Sequence, residues 1–271
     1  VVGFRNIVYY FLLTLGFIGL TVLTQIGGFI LLFAVYLNVK RIPKFWGDKA
    51  FVFILLYATF TFLIVPIIAP IFGREPIKNT EHIKPTTFFT VLCNRNYVQP
   101  AINQALQSAS ETLIKEEASI QINYLDANFP FFNGFPLLPH LSHNDGKKLD
   151  LSFVYENESG QISPLQKSNS GYGIFTEPLQ NEINQTQICK DNGYWQYNYS
   201  KYLTLGEINT QLSFSEKGTK LLINALLQDQ EIGKLFIEPH LKQRLQLTDD
   251  RIRFHGCGAV RHDDHIHFQL L

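Results

Sequence analysis

Two stretches without a single charge dominate the first third of this chain and limit what it can fold into. One runs from Ile7 to Leu37, "IVYYFLLTLGFIGLTVLTQIGGFILLFAVYL", and the other from Ala50 to Gly73, "AFVFILLYATFTFLIVPIIAPIFG". A bilayer core about 30 Å thick takes about 20 apolar residues as helix, and both runs exceed that. The first is longer than one upright span needs and too short for two. It therefore reads as one long tilted or partly interfacial helix, with Gln25-Ile26-Gly27-Gly28 as its weak point. Both runs are too long for a cleaved signal peptide and lack its small-residue cleavage site. A buried core helix in a soluble protein is the competing reading, and two uncharged runs of this length stand against it. Between them lies "NVKRIPKFWGDK", where Lys40, Arg41, Lys44 and Lys49 face one Asp48 and where Phe45 and Trp46 suit an interface. Short basic loops stay in the cytoplasm, so everything after the second run is expected outside it. The expected division is a membrane anchor over 1–76, with transmembrane helices near 7–37 and 50–73, and a separate domain over 77–271.

Composition excludes some partners. Lys+Arg and Asp+Glu balance at 23 each, so no net charge points to nucleic acid, and none is expected as a partner. Cys93, Cys189 and Cys257 are too few and too widely spaced for a disulfide framework or a cysteine zinc motif, although one bridge with one free thiol is allowed. Met is missing even from position 1, which leaves an incomplete N-terminus open.

Beyond the second run, "REPIKNTEHIKPTT" (74–87) reads as a polar tether. Apolar residues at helical spacing predict a helix over 100–116, and "SIQINYLDA" (119–127) alternates as a strand. The Pro- and Phe-rich 128–139 segment reads as an irregular loop, and 149–156 as a strand. Residues 157–200 show little periodicity and are expected to form long loops that shape a cleft. A helix near 216–230, a strand at 234–238, a helix opened by Pro239 and a final strand "HIHFQLL" complete the pattern. The expectation is an α+β domain with a mainly antiparallel sheet and flanking helices.

Chemistry concentrates in two clusters. In "PHLSHNDGKKLDLSF" (139–153), His143 precedes Asp150, and Gly146 permits the turn that would bring the two together. In "HDDHIH" (262–267), His265 and His267 sit two apart on a strand and so share a face, while Ile266, Phe268 and Leu270 take the core side. Two histidines, a carboxylate and a water make a tetrahedral catalytic zinc site. Further histidines could then serve as base for the water and as donor to an oxyanion or leaving amine. Taken singly, either cluster could be ordinary polar surface; placed together on strands and loops of the right type, they argue for a site.

These residues resemble the penicillin-insensitive murein endopeptidases, within the wider group of zinc peptidases that includes D-Ala-D-Ala carboxypeptidases and lysostaphin-type enzymes. The group pattern is H-x6-D early and H-x-H late. The additional His140 and the whole "HDDHIH" run are closer to the murein endopeptidases, and "GKLFIEPHLKQRL" (233–245) looks like their segment before the last motif. The resemblance covers roughly 132–271. It implies Zn2+ held by His143, Asp150 and His267, and makes His265 the candidate general base or transition-state stabiliser. His140 and His262 would be further active-site histidines. The implied reaction is hydrolysis of peptide cross-links between peptidoglycan stem peptides, by a protein anchored in the lipid bilayer of the bacterial inner membrane with its domain on the periplasmic side. Two other readings share the fold: a non-catalytic module that binds or senses cell-wall peptides, and a zinc D-Ala-D-Ala carboxypeptidase. Lys147 and Lys148 depart from the family's first motif; Lys148 could meet substrate carboxylates, pair with Asp145, or simply be solvated. His240 and His255 are expected to be structural or exposed, and His82 inert. Trp195 could stack on a glycan or peptide or belong to the core.

Overall fold

The computed structural model describes residues 3–39 and 49–271. The stretch 40–48, which holds most of the basic loop on which the expected orientation rests, lies outside the described residues.

The first apolar run is two helices rather than the one expected: α1 (Phe4–Thr24) and α2 (Gly27–Val39). The chain breaks at Gln25, which takes a φ of 68°, and the Thr24 hydroxyl accepts from the Gly27 amide at 2.8 Å. The Gly-Gly pair costs helix stability here and lets the chain reverse. As a result α2 lies back along α1, with the Phe17 and Phe29 rings edge to face at 5.4 Å. Helix α3 (Lys49–Thr59) continues through a π turn at Phe60–Ile64, a helical turn at Val65–Ile68 and a 3-10 turn to Phe72. The irregular turns adjoin Pro66 and Pro70, which lack the N–H that an α-helix requires. Phe4–Thr24 and Ala50–Phe72 are each long and apolar enough to cross a membrane, whereas Gly27–Asn38 is shorter.

The rest of the chain builds a six-stranded sheet from β1 (Ile83–Pro85), β2 (Ile122–Tyr124), β3 (Lys148–Ser152), β4 (Ile232–Phe236), β5 (Ile252–Arg253) and β6 (His265–Leu270), in the order β5-β4-β6-β3-β2-β1. The centre is antiparallel, as expected, but both edge strands pair in parallel with their neighbours. Helices α4 (Pro100–Glu116) and α5 (Glu216–Leu226) cover one face. There Ile102, Leu106, Leu222 and Leu226 pack with Leu149, Leu151, Ile266 and Phe268 in the main core. Each such side chain contributes about 1.5–3 kcal/mol on burial. Strand alternation sends Asp150, His265 and His267 to the other face.

The 74–87 segment is not a loose tether. Glu75–Pro76 pairs with Tyr97–Val98, Ile83–Pro85 is the edge strand β1, and Ile77 and Ile83 are buried in the core. Two isoleucines among polar residues are enough to bind the segment to the domain. The 157–200 stretch is less featureless than its composition suggests. It holds a small sheet strand at Ile162–Ser163, a helix at Gln185–Asp191 and a 3-10 segment at Trp195–Leu203. Cys189 and Cys257 form a disulfide, and Cys93 is a buried free thiol.

Candidate metal centre

Six of the chain's eight histidines line one cleft of about 520 Å³, whose walls are the loop Pro139–Ser142, the loop Gly258–Val260 and the side chains of Gln196 and Tyr199. At its floor β3 and β6 run antiparallel with His267 directly across from Asp150. The register alone therefore brings the carboxylate and the imidazole together, with Asp150 Oδ1 at 2.8 Å from His267 Nδ1. His143 arrives on the preceding loop, its Nε2 at 3.1 Å from His267 Nδ1 and 3.3 Å from Asp150 Oδ1. Metal–ligand bonds of about 2.0–2.1 Å in a tetrahedron imply donor separations of about 3.3 Å, so these three atoms fit one small cation. His143, Asp150 and His267 are a group able to hold a metal ion.

The supporting contacts set each donor's state. His143 Nδ1 donates to the Ala127 carbonyl at 2.7 Å, which leaves Nε2 free to coordinate. The Tyr172 hydroxyl donates to Asp150 Oδ2 at 2.9 Å and accepts from the Asp126 amide. Burial would raise the Asp150 pKa, but His143 and His265 overcome it and hold the carboxyl well below its ordinary range. Burial lowers His267 to about 4 against the pull of Asp150, so it is a neutral ligand at neutral pH.

The loop that carries His143 is fastened from outside. Gly146 takes a φ of +81°, which favours glycine, and a Cβ there would sit tightly at 3.0 Å from Arg74 Nε and 3.2 Å from Gln99 Cγ. Buried Arg74 donates to the Phe129 carbonyl, to Asn133 Oδ1 at 2.6 Å and to the Asn144 carbonyl at 3.3 Å. His140 Nδ1 stands 3.1 Å from Asp126 Oδ2 and 3.3 Å from Asp150 Oδ2, and Asp126 is paired with Arg95 at 2.7 Å.

The remaining histidines face the three donors. His265 Nδ1 donates to Asp264 Oδ1 at 2.5 Å, and its Nε2 lies 3.8 Å from Asp150 Oδ1. Burial opposes charge on this ring, yet Asp264 and Asp150 raise its pKa to about 9. Asp264 is itself fixed by the Gly173 amide at 2.6 Å, and a Cβ at Gly173 would meet the Ser200 carbonyl. His262 is buried, and that burial, with His265 and His267 beside it, pushes its pKa well down. Its amide donates to Glu238 Oε1 at 2.9 Å.

All six residues singled out in the sequence thus share one cleft. Asp264 orients a histidine, whereas Asp263 instead receives Arg261. Lys148 pairs with Asp145 rather than facing the cleft. His240 is structural, its Nε2 donating to the Thr176 carbonyl at 2.8 Å, while His255 lines the cleft and belongs with the site. Trp195 is 82 % exposed and has no core role. Tyr172, Asp126, Arg95 and Arg74 are further site residues that sequence reasoning missed, because their spacings to the histidines follow no local period.

No family model matches this chain, and no curated protein matches its sequence.

Proposed function

We propose that this protein is a membrane-anchored zinc peptidase that hydrolyses peptide cross-links of peptidoglycan, with its domain on the periplasmic side of the inner membrane. The observation that carries the reading is the meeting of His143 Nε2, Asp150 Oδ1 and His267 Nδ1 under His265 Nε2 in an open cleft. Zinc bound there would supply Lewis acidity, acidifying a water and polarising a carbonyl. The protein's own groups account for the proton traffic. His265, held as an imidazolium by Asp264 and Asp150, would donate from Nε2 to the developing oxyanion or the leaving amine. His262, kept neutral, is the candidate to take the proton of the attacking water. His140, set between Asp126 and Asp150, is a further polar group on the cleft wall able to meet substrate.

The murein resemblance supplies the substrate, and the anchor supports the location. Tyr9 near the start of α1 lines a pocket with Asn38 and Ala50, which flank the basic loop. Gln25, at the other end of α1, accepts from the Phe131 amide of the domain at 3.0 Å. Asn38 and Ala50 thus lie at the opposite end of the helix bundle from the domain, which suits a cytoplasmic basic stretch and an external domain.

The test uses the full chain in detergent with muropeptide dimers and mass analysis of the products. Dimer-to-monomer conversion is expected, lost in chelator, restored by zinc and absent from His143→Ala. Release of a terminal residue instead would indicate a carboxypeptidase, and an active His267→Ala protein would sink the ligand assignment.

A further inference from the structure

The domain's lower edge lies beside a part of α3 that a bilayer should cover. The Tyr57 hydroxyl donates to the Leu92 carbonyl at 2.7 Å, and the Phe62 ring stacks on Phe88 at 6.0 Å. The short helix Phe88–Leu92 therefore packs at the level of Tyr57–Phe62. From Phe62 to the end of the apolar helix at Phe72 the rise is about 15 Å. A stricter upper boundary gives the same answer. The α1–α2 reversal packs Ile26 against Val65 and Ala69, so α1 ends at about that height. Measured from Val65, Phe62 and the Phe88 ring stacked on it are still about 5 Å lower.

The exposed surface at this depth is apolar. Leu63, Ile67 and Ile71 on α3 are open, and Phe88 and Phe89 next to them are 64 % and 51 % exposed. Through the stack of Phe88 on Phe62, itself 43 % exposed, the exposed phenylalanines of the turn adjoin the open apolar side of a spanning helix. The C-terminal end of the turn keeps its backbone groups paired, as lipid demands. Cys93, Asn94 and Arg95 amides bond back to Phe89, Val91 and Thr90 carbonyls, and Tyr57 reaches out of the spanning helix to satisfy Leu92.

We infer that the Phe88–Leu92 turn is a wedge immersed in the outer leaflet, with Phe88 and Phe89 in contact with acyl chains. Its partner is the lipid bilayer itself, and the domain is seated in the membrane surface rather than suspended above it. Arg74, just past the end of the spanning helix, holds the Asn144 carbonyl next to the ligand His143. The immersed edge and the metal loop are thus tied to the same helix end. The inference rests on the membrane reading of α1 and α3.

The test places one tryptophan at a time in the full chain, reconstituted in vesicles, with Trp46 and Trp195 changed to Phe. The probes are Phe89→Trp, Phe88→Trp as an independent second site, and Leu12→Trp on the exposed face of α1. Emission is read with acyl-chain-brominated lipid and with aqueous iodide. The expected result is loss of most emission to bromolipid, and little to iodide, at positions 89, 88 and 12 alike. Quenching of positions 88 and 89 by iodide alone, with position 12 quenched by bromolipid, would overturn the wedge and leave the membrane reading standing. Protection of 88 and 89 from both quenchers would also overturn it, since protein would then cover the patch. Iodide quenching at position 12 would remove the membrane reading itself.

Discussion

The two halves of the candidate metal centre are held in different ways. In the β6 half, His265 and His267 are aimed by strand register, with His267 across from Asp150 and core residues Ile266 and Phe268 filling the opposite face. In the loop half, His140 and His143 lie outside any strand or helix and are fixed by groups distant in the chain: the Ala127 carbonyl, the Asp126–Arg95 pair and Arg74. A strand positions a ligand with its own backbone. A loop needs clamps, and each clamp is a separate point of failure.

The largest expected effect should not distinguish the halves at all. His143→Ala and His267→Ala each remove one of three donors, so each is expected to abolish metal retention and hydrolysis together. Metal analysis after gel filtration, beside the muropeptide assay, checks this; retention of stoichiometric metal by either variant would break the assignment.

Asp264→Asn comes next and probes proton transfer within the strand half. The carboxylate that raises His265 is replaced by a neutral amide, and the donor set is left intact. The expected result is a fall in kcat of about 10²–10⁴-fold with metal content unchanged. Loss of metal in parallel would mean that Asp264 is part of the binding site rather than support for the His265 imidazolium.

Arg74→Ala tests the clamp directly. Without the guanidinium the Phe129 and Asn144 carbonyls lose their donor and the His143 loop loosens. Metal affinity is expected to fall about 10–100-fold, as for other residues that orient a ligand. At saturating zinc kcat should recover to near the wild-type value, because the β6 half is unaffected. A competition titration with a chromogenic chelator gives the affinity, and unchanged affinity would show that the loop holds itself.

The same contrast explains what could be seen in the sequence. The alternation in "HIHFQLL" announces a half-buried strand with histidines on one face, and that face is where they lie. The break at Gln25 falls within the weak point Gln25-Ile26-Gly27-Gly28 visible in the sequence, but the return of α2 along α1 depends on packing such as Phe17 on Phe29, which no local period records. The loop-half ligands rested on the H-x6-D resemblance, and their clamps were hidden. Arg74 sits in a segment that reads as a tether, Asp126 at the end of a short strand, and Tyr172 in a stretch without periodicity. Their role comes from contacts across the chain, such as Tyr172 on Asp150, and only the folded chain reveals them.

The smallest effect asks whether the strand half is as self-sufficient as it looks. The "HDDHIH" run does have one outer support: the Thr176 amide donates to the Asp263 carbonyl, and the loop after Thr176 is tied down where Arg244 meets Glu182 at 2.5 Å. The Arg244 hydrogen bonds lower the Glu182 carboxyl from its ordinary 4.5 to about 2. A carboxyl depressed on folding stabilises the protein above its unfolded pKa, and that contribution is lost as pH falls through the folded one. Glu182→Gln is therefore expected to cost about 1 kcal/mol at pH 7. The gap to wild type should close between about pH 4.5 and about pH 2. Chemical denaturation of both proteins across that range measures the gap. Metal affinity at pH 7 should stay within a few-fold of wild type, because strand register, not this ion pair, aims His267. A Glu182→Gln protein that lost metal as readily as Arg74→Ala would show that the strand half is clamped from outside as well.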